Sequence, residues 1–213
     1  MSDRRIARLV EAAGPVSRET YETLVGFENL FRKWNEHINL AAPASLNDFW
    51  ERHVVDSAQV FRLRNGARHF LDIGSGGGLP GVVISILCKD HPGFSIDLVE
   101  SNRKKTAFLI NALSQARAPG SVHSERIEDA LIHVKQPDVI TARALASLPE
   151  LLEMTETRLT GDTRALFHKG RGYREEIEES RRNWQFDLLE HQSIVDPESV
   201  ILEISNLNRR ISV

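Results

Sequence analysis

Apolar residues recur at helical spacing in the first third of the chain. The spacing predicts a helix over residues 17–38 with Ser17 as its N-cap, and a second helix that begins at Ser45 and has an apolar face extending to Phe61. The apolar side chains that define the first helical face are Phe27, Leu30, Phe31, Trp34 and Ile38. The N-terminal part of the chain is therefore expected to be helical throughout.

From residue 69 onward, short strand patterns alternate with helix patterns. Strands are expected at residues 69–73, 94–100, 121–124, 138–142, 164–169, 186–194 and 200–204. Helices are expected at residues 80–89, 101–116, 127–134, 148–159 and 175–183. This alternation is typical of a mostly parallel sheet with right-handed crossovers. Only residues 195–199 separate the last two strands, and because a parallel crossover needs a longer connection, those strands should pair antiparallel.

The order of elements indicates a fold class. A mostly parallel, Rossmann-like sheet that ends in an antiparallel strand is the arrangement of a class I methyltransferase, whereas a nicotinamide-binding sheet more often ends parallel. We therefore expect an α/β fold of the methyltransferase class. A composition shift near residues 64–69 predicts an N-terminal helical extension over residues 1–65, packed on a core domain over residues 66–213.

Composition narrows the class of protein only slightly. The 213 residues are 41% hydrophobic and 27% charged, which is ordinary for a globular chain. A net charge of −3 excludes a histone-like protein but not a nucleic-acid enzyme, since binding needs only a local basic face. Cys88 is the single cysteine, which excludes an internal disulfide and a thiolate metal cluster. Because no apolar run reaches membrane-spanning or signal-peptide length, we expect a soluble cytoplasmic protein.

The most informative segment is the glycine-rich stretch over residues 72–81, which reads D-I-G-S-G-G-G-L-P-G. It follows a predicted strand and opens a helix, where glycines let a ligand approach the backbone and the free N–H groups face it. The dinucleotide pattern G-x-G-x-x-G fits Gly76, Gly78 and Gly81. The pattern D-x-G-x-G-x-G of S-adenosylmethionine enzymes fits Asp72, Gly74, Gly76 and Gly78. Glu100, at the end of the next strand, suits either pattern because its carboxylate can accept hydrogen bonds from both ribose hydroxyls.

Several functions stay open at this point. Asp72 and the C-terminal hairpin favour S-adenosylmethionine, and no P-loop, H-E-x-x-H motif or cysteine pair points to a nucleotide triphosphate or zinc. An NAD-dependent dehydrogenase lacks support because there is no Tyr-x-x-x-Lys pair. An inactive nucleotide- or RNA-binding module is disfavoured because nothing bulky blocks the glycines. A methyltransferase acting on another RNA, a protein or a small molecule remains an alternative.

Motifs along most of the chain resemble those of one family, the bacterial rRNA small subunit methyltransferase G family, also called glucose-inhibited division protein B. The glycine segment with its L-P-G ending resembles the family's loop. The other matching residues are Trp34-Asn35, Asn39-Leu40, Arg52-His53, Asp56-Ser57, Lys104-Lys105, Arg126-Ile127-Glu128, Thr141-Ala142-Arg143-Ala144 and Lys169-Gly170. Ala41 departs from the threonine often found after N-L in the family.

The resemblance implies an activity and a set of cofactor contacts. The family methylates N7 of guanine 527 in the 530 loop of 16S rRNA with S-adenosylmethionine. The family's cofactor contacts fall on Gly74, Leu79, Ile127, Glu128 and Arg143. Because guanine N7 carries a free lone pair and the sulfonium is a good leaving group, we expect no single catalytic residue and no metal.

Candidate RNA contacts are the cations near predicted strand ends, among them Lys104, Lys105, Arg126 and Lys169. Asn39, Arg52 and His53, with Asp56, could form a polar patch that faces the cofactor. Alternatively, His53 packs between helices and Arg52 forms an exposed i, i+4 ion pair with Asp56. The expected partner is 16S rRNA or the small ribosomal subunit, and the expected protein is a monomer without a membrane contact.

Overall fold

The computed structural model describes residues 2–210, and residues 1 and 211–213, at the outer limits of the two predicted domains, lie outside that range. The N-terminal helices are α1 (Ser2–Ala13), α2 (Arg18–Asn35) and α3 (Pro43–Leu46). A π-helical stretch (Trp50–Val55) then continues directly into α4 (Asp56–Leu63). Ser17 caps α2 as expected, because its hydroxyl oxygen accepts a hydrogen bond from the backbone N–H of Thr20 at 3.1 Å.

The second predicted helix is wrong because the segment is not one continuous helix: α3 ends at Leu46, and the π-helical stretch begins at Trp50. Ser45 lies inside α3 and is not an N-cap, since its hydroxyl donates to the backbone carbonyl of Ala42. Each hydrogen bond in the π-helical stretch spans one residue more than in an α-helix, and the Asp56 N–H accordingly donates to the carbonyl of Glu51. This insertion turns His53 inward and leaves Arg52 exposed.

The remaining elements alternate as the pattern predicted. The strands are β1 (His69–Ile73), β2 (Ser95–Val99), β3 (Ser121–His123), β4 (Val139–Arg143), β5 (Arg164–Lys169), β6 (Trp184–Gln192) and β7 (Val200–Arg209). The helices between them are α5 (Gly81–Leu87), α6 (Arg103–Ala116), α7 (Ile127–His133), α8 (Leu148–Thr155) and α9 (Tyr173–Asn183). Among residues 2–210, no helix combines the length and the apolar character needed to cross a membrane.

One sheet of seven strands runs through the molecule in the order β3-β2-β1-β4-β5-β7-β6. The pairs among β1 to β5 are parallel, and β7 pairs antiparallel with both β5 and β6, which confirms the predicted C-terminal arrangement. The strand order reverses between β1 and β4, and in open α/β sheets ligands bind outside the carboxyl ends of the strands at such a point.

Two apolar clusters cover the two faces of the sheet. The first includes Leu9, Leu24 and Phe31 from the N-terminal helices together with Phe108 of α6, so these helices share a core with the sheet. The second cluster holds the apolar sides of α7, α8 and α9. Cys88 is fully buried in the first cluster, and burial raises the pKa of its thiol to about 12. A thiol in that environment is an inert core residue.

Candidate active site

The glycine segment forms the turn between β1 and α5. Gly74 and Gly76 have φ angles of 64° and 53°, in the left-handed region that favours glycine. A Cβ on Gly74 would lie 2.5 Å from Cδ1 of Leu145, so the loop after β4 packs directly on this backbone. A Cβ on Gly76 would meet only the carbonyl of Gly74 at 3.7 Å, which leaves space beside the loop.

Asp72 supports this turn from behind. Its side chain is buried, and its Oδ1 accepts a hydrogen bond from the Thr141 hydroxyl at 2.7 Å. Burial raises the pKa of Asp72 to about 6, although the hydrogen bond from Thr141 opposes the rise. A Cβ on Gly81 would come within 2.6 Å of the Asp72 carboxylate, so only glycine lets α5 begin this close to β1.

Glu100 links the glycine turn to the start of α6. Its Oε2 accepts a hydrogen bond from the backbone N–H of Gly76 at 3.0 Å, and its Oε1 accepts one from the N–H of Asn102 at 2.7 Å. Each carboxylate oxygen can accept a second hydrogen bond. The half-buried carboxylate is therefore held rigidly and keeps capacity for hydroxyl donors on its open side.

A cavity of about 570 Å³ opens at the carboxyl ends of β1, β2 and β4, and Glu100 lines it. Ten of the residues singled out from the sequence lie on its wall: Gly74, Gly76, Leu79, Glu100, Lys105, Arg126, Ile127, Glu128, His53 and Arg143. The opposite wall comes from the N-terminal part of the chain, at Leu40, Ala41, Ala42 and Ser45. The cavity thus spans both predicted domains, and its size suits a nucleoside-containing cofactor.

Comparisons with known proteins agree with this geometry. The family model described as rRNA small subunit methyltransferase G matches residues 20–204. A protein of that name from Chelativorans sp. (strain BNC1) is 54% identical over 209 residues, which cover 98% of this chain and all of the relative. One from Brucella anthropi is 52% identical over 211 residues, covering 99% of each chain. The chain belongs to the rRNA small subunit methyltransferase G family. It is a methyltransferase, and its cofactor is S-adenosylmethionine.

Solved structures show the same fold at low sequence identity. An O-methyltransferase from Bacillus cereus, in complex with SAH, covers 93% of this chain and 95% of its own, with a TM-score of 0.56 and 12% identity. A ribosomal protein L11 methylase from Lactobacillus delbrueckii subsp. bulgaricus covers 72% of this chain and 78% of its own, with a TM-score of 0.57 and 16% identity. The expected class I methyltransferase fold is therefore confirmed.

In this methyltransferase, Arg143 ends β4 and faces the N-terminal helices. Its Nε lies 3.0 Å from Oδ2 of Asp56, and its Nη2 donates to the backbone carbonyl of Arg52 at 2.7 Å. Burial lowers the pKa of Arg143, and the charge of Asp56 opposes that shift. The alternative of an exposed ion pair between Arg52 and Asp56 is therefore wrong, because Asp56 pairs with Arg143 instead.

His53 continues this network towards the cavity wall. Its Nδ1 accepts from the Arg143 guanidinium at 3.2 Å, and its Nε2 therefore carries the proton and donates to the Ser45 hydroxyl at 2.9 Å. Burial, followed by the charge of Arg143, lowers the pKa of His53 to about 4. His53 is thus neutral at pH 7 and ties the Ala42–Ser45 wall to β4.

Several of the expected contacts lie elsewhere. Asp72 and Gly78 are buried behind the turn and do not line the cavity. Lys169 is held by Glu176 at 2.6 Å and donates to the carbonyl of Ala146, so its ammonium fastens the loop after β4. Asn39 is exposed outside the cavity. Asn35, four residues earlier, holds this segment in place, because its Oδ1 accepts hydrogen bonds from the N–H groups of residues 40 and 41 at 2.9 Å each.

Four cations on the cavity wall or next to it in the chain, which we call the rim cations, are not engaged in ion pairs within the described part of the chain: Lys105 and Arg126 line the cavity, Lys104 precedes Lys105, and Arg52 precedes the lining residue His53. Arg52, Lys104, Lys105 and Arg126 form no salt bridge with any residue between 2 and 210, and Arg52, Lys104 and Arg126 are exposed. Arg103 beside them, at the start of α6, is also exposed. Solvated cations of this kind can exchange their counterions for phosphates without breaking an internal pair.

Proposed function

We propose that this methyltransferase transfers the methyl group of S-adenosylmethionine to N7 of guanine 527 in the 530 loop of 16S rRNA. The observation that carries the proposal is the cavity itself, where the glycine turn and Glu100 meet beneath a rim of free cations. The names of relatives that match the chain over nearly its full length support rRNA as the substrate.

The residues present fit the cofactor. The Gly76 turn leaves open space on its cavity side, where a Cβ would otherwise stand in the way of a ligand. The Glu100 carboxylate can accept hydrogen bonds from both ribose hydroxyls while it keeps its two backbone donors. Ile127 and Glu128 begin α7 on the same wall, where an adenine ring would find an apolar side chain and a polar neighbour.

The reaction needs positioning more than proton transfer. S-adenosylmethionine supplies an electrophilic methyl group on a sulfonium that leaves as a neutral thioether. Guanine N7 has a free lone pair, so the protein has to align donor and acceptor in a line. Arg143 stays protonated and cannot act as a base, and the His53 Nδ1 is already occupied by Arg143. The cavity side chains thus agree with a mechanism without a general base.

The rim supports a macromolecular substrate rather than a small molecule. Ala42, Ser45 and His53 line the cavity on one side, and Arg52 precedes His53 in the chain. Lys105 and Arg126 line it on the other side, and Lys104 precedes Lys105. Phosphates on both sides of an unstacked guanine could therefore be bound while the base enters between them. We propose Arg52, Lys104, Lys105 and Arg126 as the RNA contacts. We also propose that the protein acts in the cytoplasm as a monomer, and multi-angle light scattering tests the monomeric state.

The proposal is tested by transfer of a labelled methyl group. Small ribosomal subunits from cells that lack the endogenous activity are incubated with the protein and methyl-labelled S-adenosylmethionine. We expect label in 16S rRNA and none in ribosomal protein. A small-molecule enzyme would leave the rRNA unlabelled, and label confined to protein would equally contradict the proposal.

A further inference from the structure

A cluster of metal-ligating side chains borders the cofactor cavity and shares no residue with the proposed cofactor and RNA contacts, although its glutamate, Glu125, lines the cavity. It consists of His123 at the end of β3, Glu125 in the following turn and His133 at the end of α7, and we call it the His–Glu–His cluster. One ligand atom from each residue lies within 4.8 Å of the other two. The sequence showed no zinc motif because these residues follow none of the standard spacings.

The distances inside the cluster suit a zinc ion. The Glu125 Oε1 lies 3.0 Å from the His133 Nε2 and 3.6 Å from the His123 Nδ1. Ligand atoms about 2.0–2.1 Å from one tetrahedral zinc ion stand roughly 3.4 Å apart. The His133 side chain is half exposed, so the ring can rotate the small distance that closes the set.

The orientation of the His123 ring favours a metal ligand at this position. Its Nε2 lies 2.8 Å from the Asp97 carboxylate, which can only accept, so this nitrogen carries a proton. In a neutral ring, Nδ1 is then an unprotonated lone pair that faces the Glu125 carboxylate. A metal ion between the two would take a lone pair from each and would replace the proton that Nδ1 carries whenever the ring is an imidazolium. A carboxylate that orients a histidine through its other nitrogen is also the usual support behind a zinc ligand.

We propose that the His–Glu–His cluster binds one zinc ion and that the ion strengthens cofactor binding. The three ligands bracket residues 123–133, and this segment carries Ile127 and Glu128 on the cavity wall. An ion that joins both ends of the segment holds this wall in place before the cofactor arrives. Water would complete the coordination, as at sites with three protein ligands. The coupling rests on the proposed function, whereas zinc binding does not.

The binding half is tested with ZnCl₂ alone on untagged, EDTA-treated protein by calorimetry at neutral pH. We expect one zinc ion per chain at micromolar concentration, and binding weakened about 10- to 100-fold in His133→Ala and in Glu125→Gln. His37→Ala, which removes an exposed histidine far from the cluster in sequence, is the control and should bind as the parent does. Equal affinity in parent and His133→Ala, or no binding by the parent, would overturn the site.

The coupling half is tested by titrating SAH into the protein with and without saturating ZnCl₂. Zinc should tighten SAH binding about fivefold or more in the parent and leave it unchanged in His133→Ala. Equal SAH affinity with and without zinc in the parent would overturn the coupling. SAH binding measured without zinc tests the proposed cofactor site by itself, so the two proposals fail by different results.

Discussion

Replacing Arg143 with alanine tests whether the end of β4 is joined to the N-terminal helices by a buried ion pair. The Arg143 side chain is 20% exposed and that of Asp56 is 13% exposed, so the variant leaves a largely desolvated carboxylate without its partner. Removing one member of a buried pair costs about 3–5 kcal/mol, and the residual exposure here places the loss near 3 kcal/mol. In a chain of this size, that corresponds to a fall in melting temperature of about 6–12 °C.

The assay is urea unfolding followed by circular dichroism, with thermal unfolding as a second measurement. The double variant Arg143→Ala with Asp56→Ala should lose less free energy of unfolding than the sum of the two single variants, because neither charge is then left alone. Arg143→Lys should keep most of the stability and lose turnover, since it retains the charge but lacks the fork that also reaches the Arg52 carbonyl.

Arg103→Ala is the matched control, because Arg103 is an exposed arginine outside any salt bridge in residues 2–210. It should change the free energy of unfolding by less than about 0.5 kcal/mol. A stabilising buried ion pair is refuted if the free energy of unfolding of Arg143→Ala stays within about 1 kcal/mol of the parent's, or if the single losses simply add in the double variant.

Three further predictions follow from the site. Glu100→Ala should weaken SAH binding about 10- to 150-fold in calorimetry, because charge-assisted hydrogen bonds are lost, and a change below twofold would place the ribose partner elsewhere. The Asp72 pKa of about 6 lies above its unfolded value of 3.8, so its contribution to stability is present below pH 3.8 and is lost as the pH rises through 6. Urea unfolding between pH 4 and pH 7.5 should show this loss, about 2 kcal/mol, in the parent but not in Asp72→Asn, and parallel profiles would contradict it. Lys104→Ala with Lys105→Ala should lower the salt slope of rRNA binding by about 1–2, and an unchanged slope would move the RNA face elsewhere.

The local pattern predicted the strands and the turn well because each depends on neighbouring residues. β1 and β5 have the predicted bounds, since each holds a short run of buried residues that is mostly apolar. The glycine turn could be predicted because its backbone needs the left-handed φ angles that Gly74 and Gly76 adopt. Periodicity failed at the π-helical stretch, where one inserted residue shifts every side chain after it.

Pairings between distant parts of the chain could not be predicted in the same way. Asp56 meets Arg143 only after the N-terminal helices pack on the sheet, so helical spacing alone suggested the wrong partner for it. Lys169 carries the same charge as the rim lysines, yet Glu176 of α9 engages it in the structure. Which cations are free for RNA depends on the tertiary fold, and no local pattern in the chain indicates it.

The most direct test of the central claim is the position of the new methyl group. Small subunits are incubated with the protein and S-adenosylmethionine, and the 16S rRNA is then reduced and cleaved with aniline, which breaks the chain at N7-methylguanine. Cleavage at guanine 527 that requires both protein and cofactor is the predicted result. Cleavage at another guanine, or methylated rRNA that resists aniline at every guanine, would contradict the account.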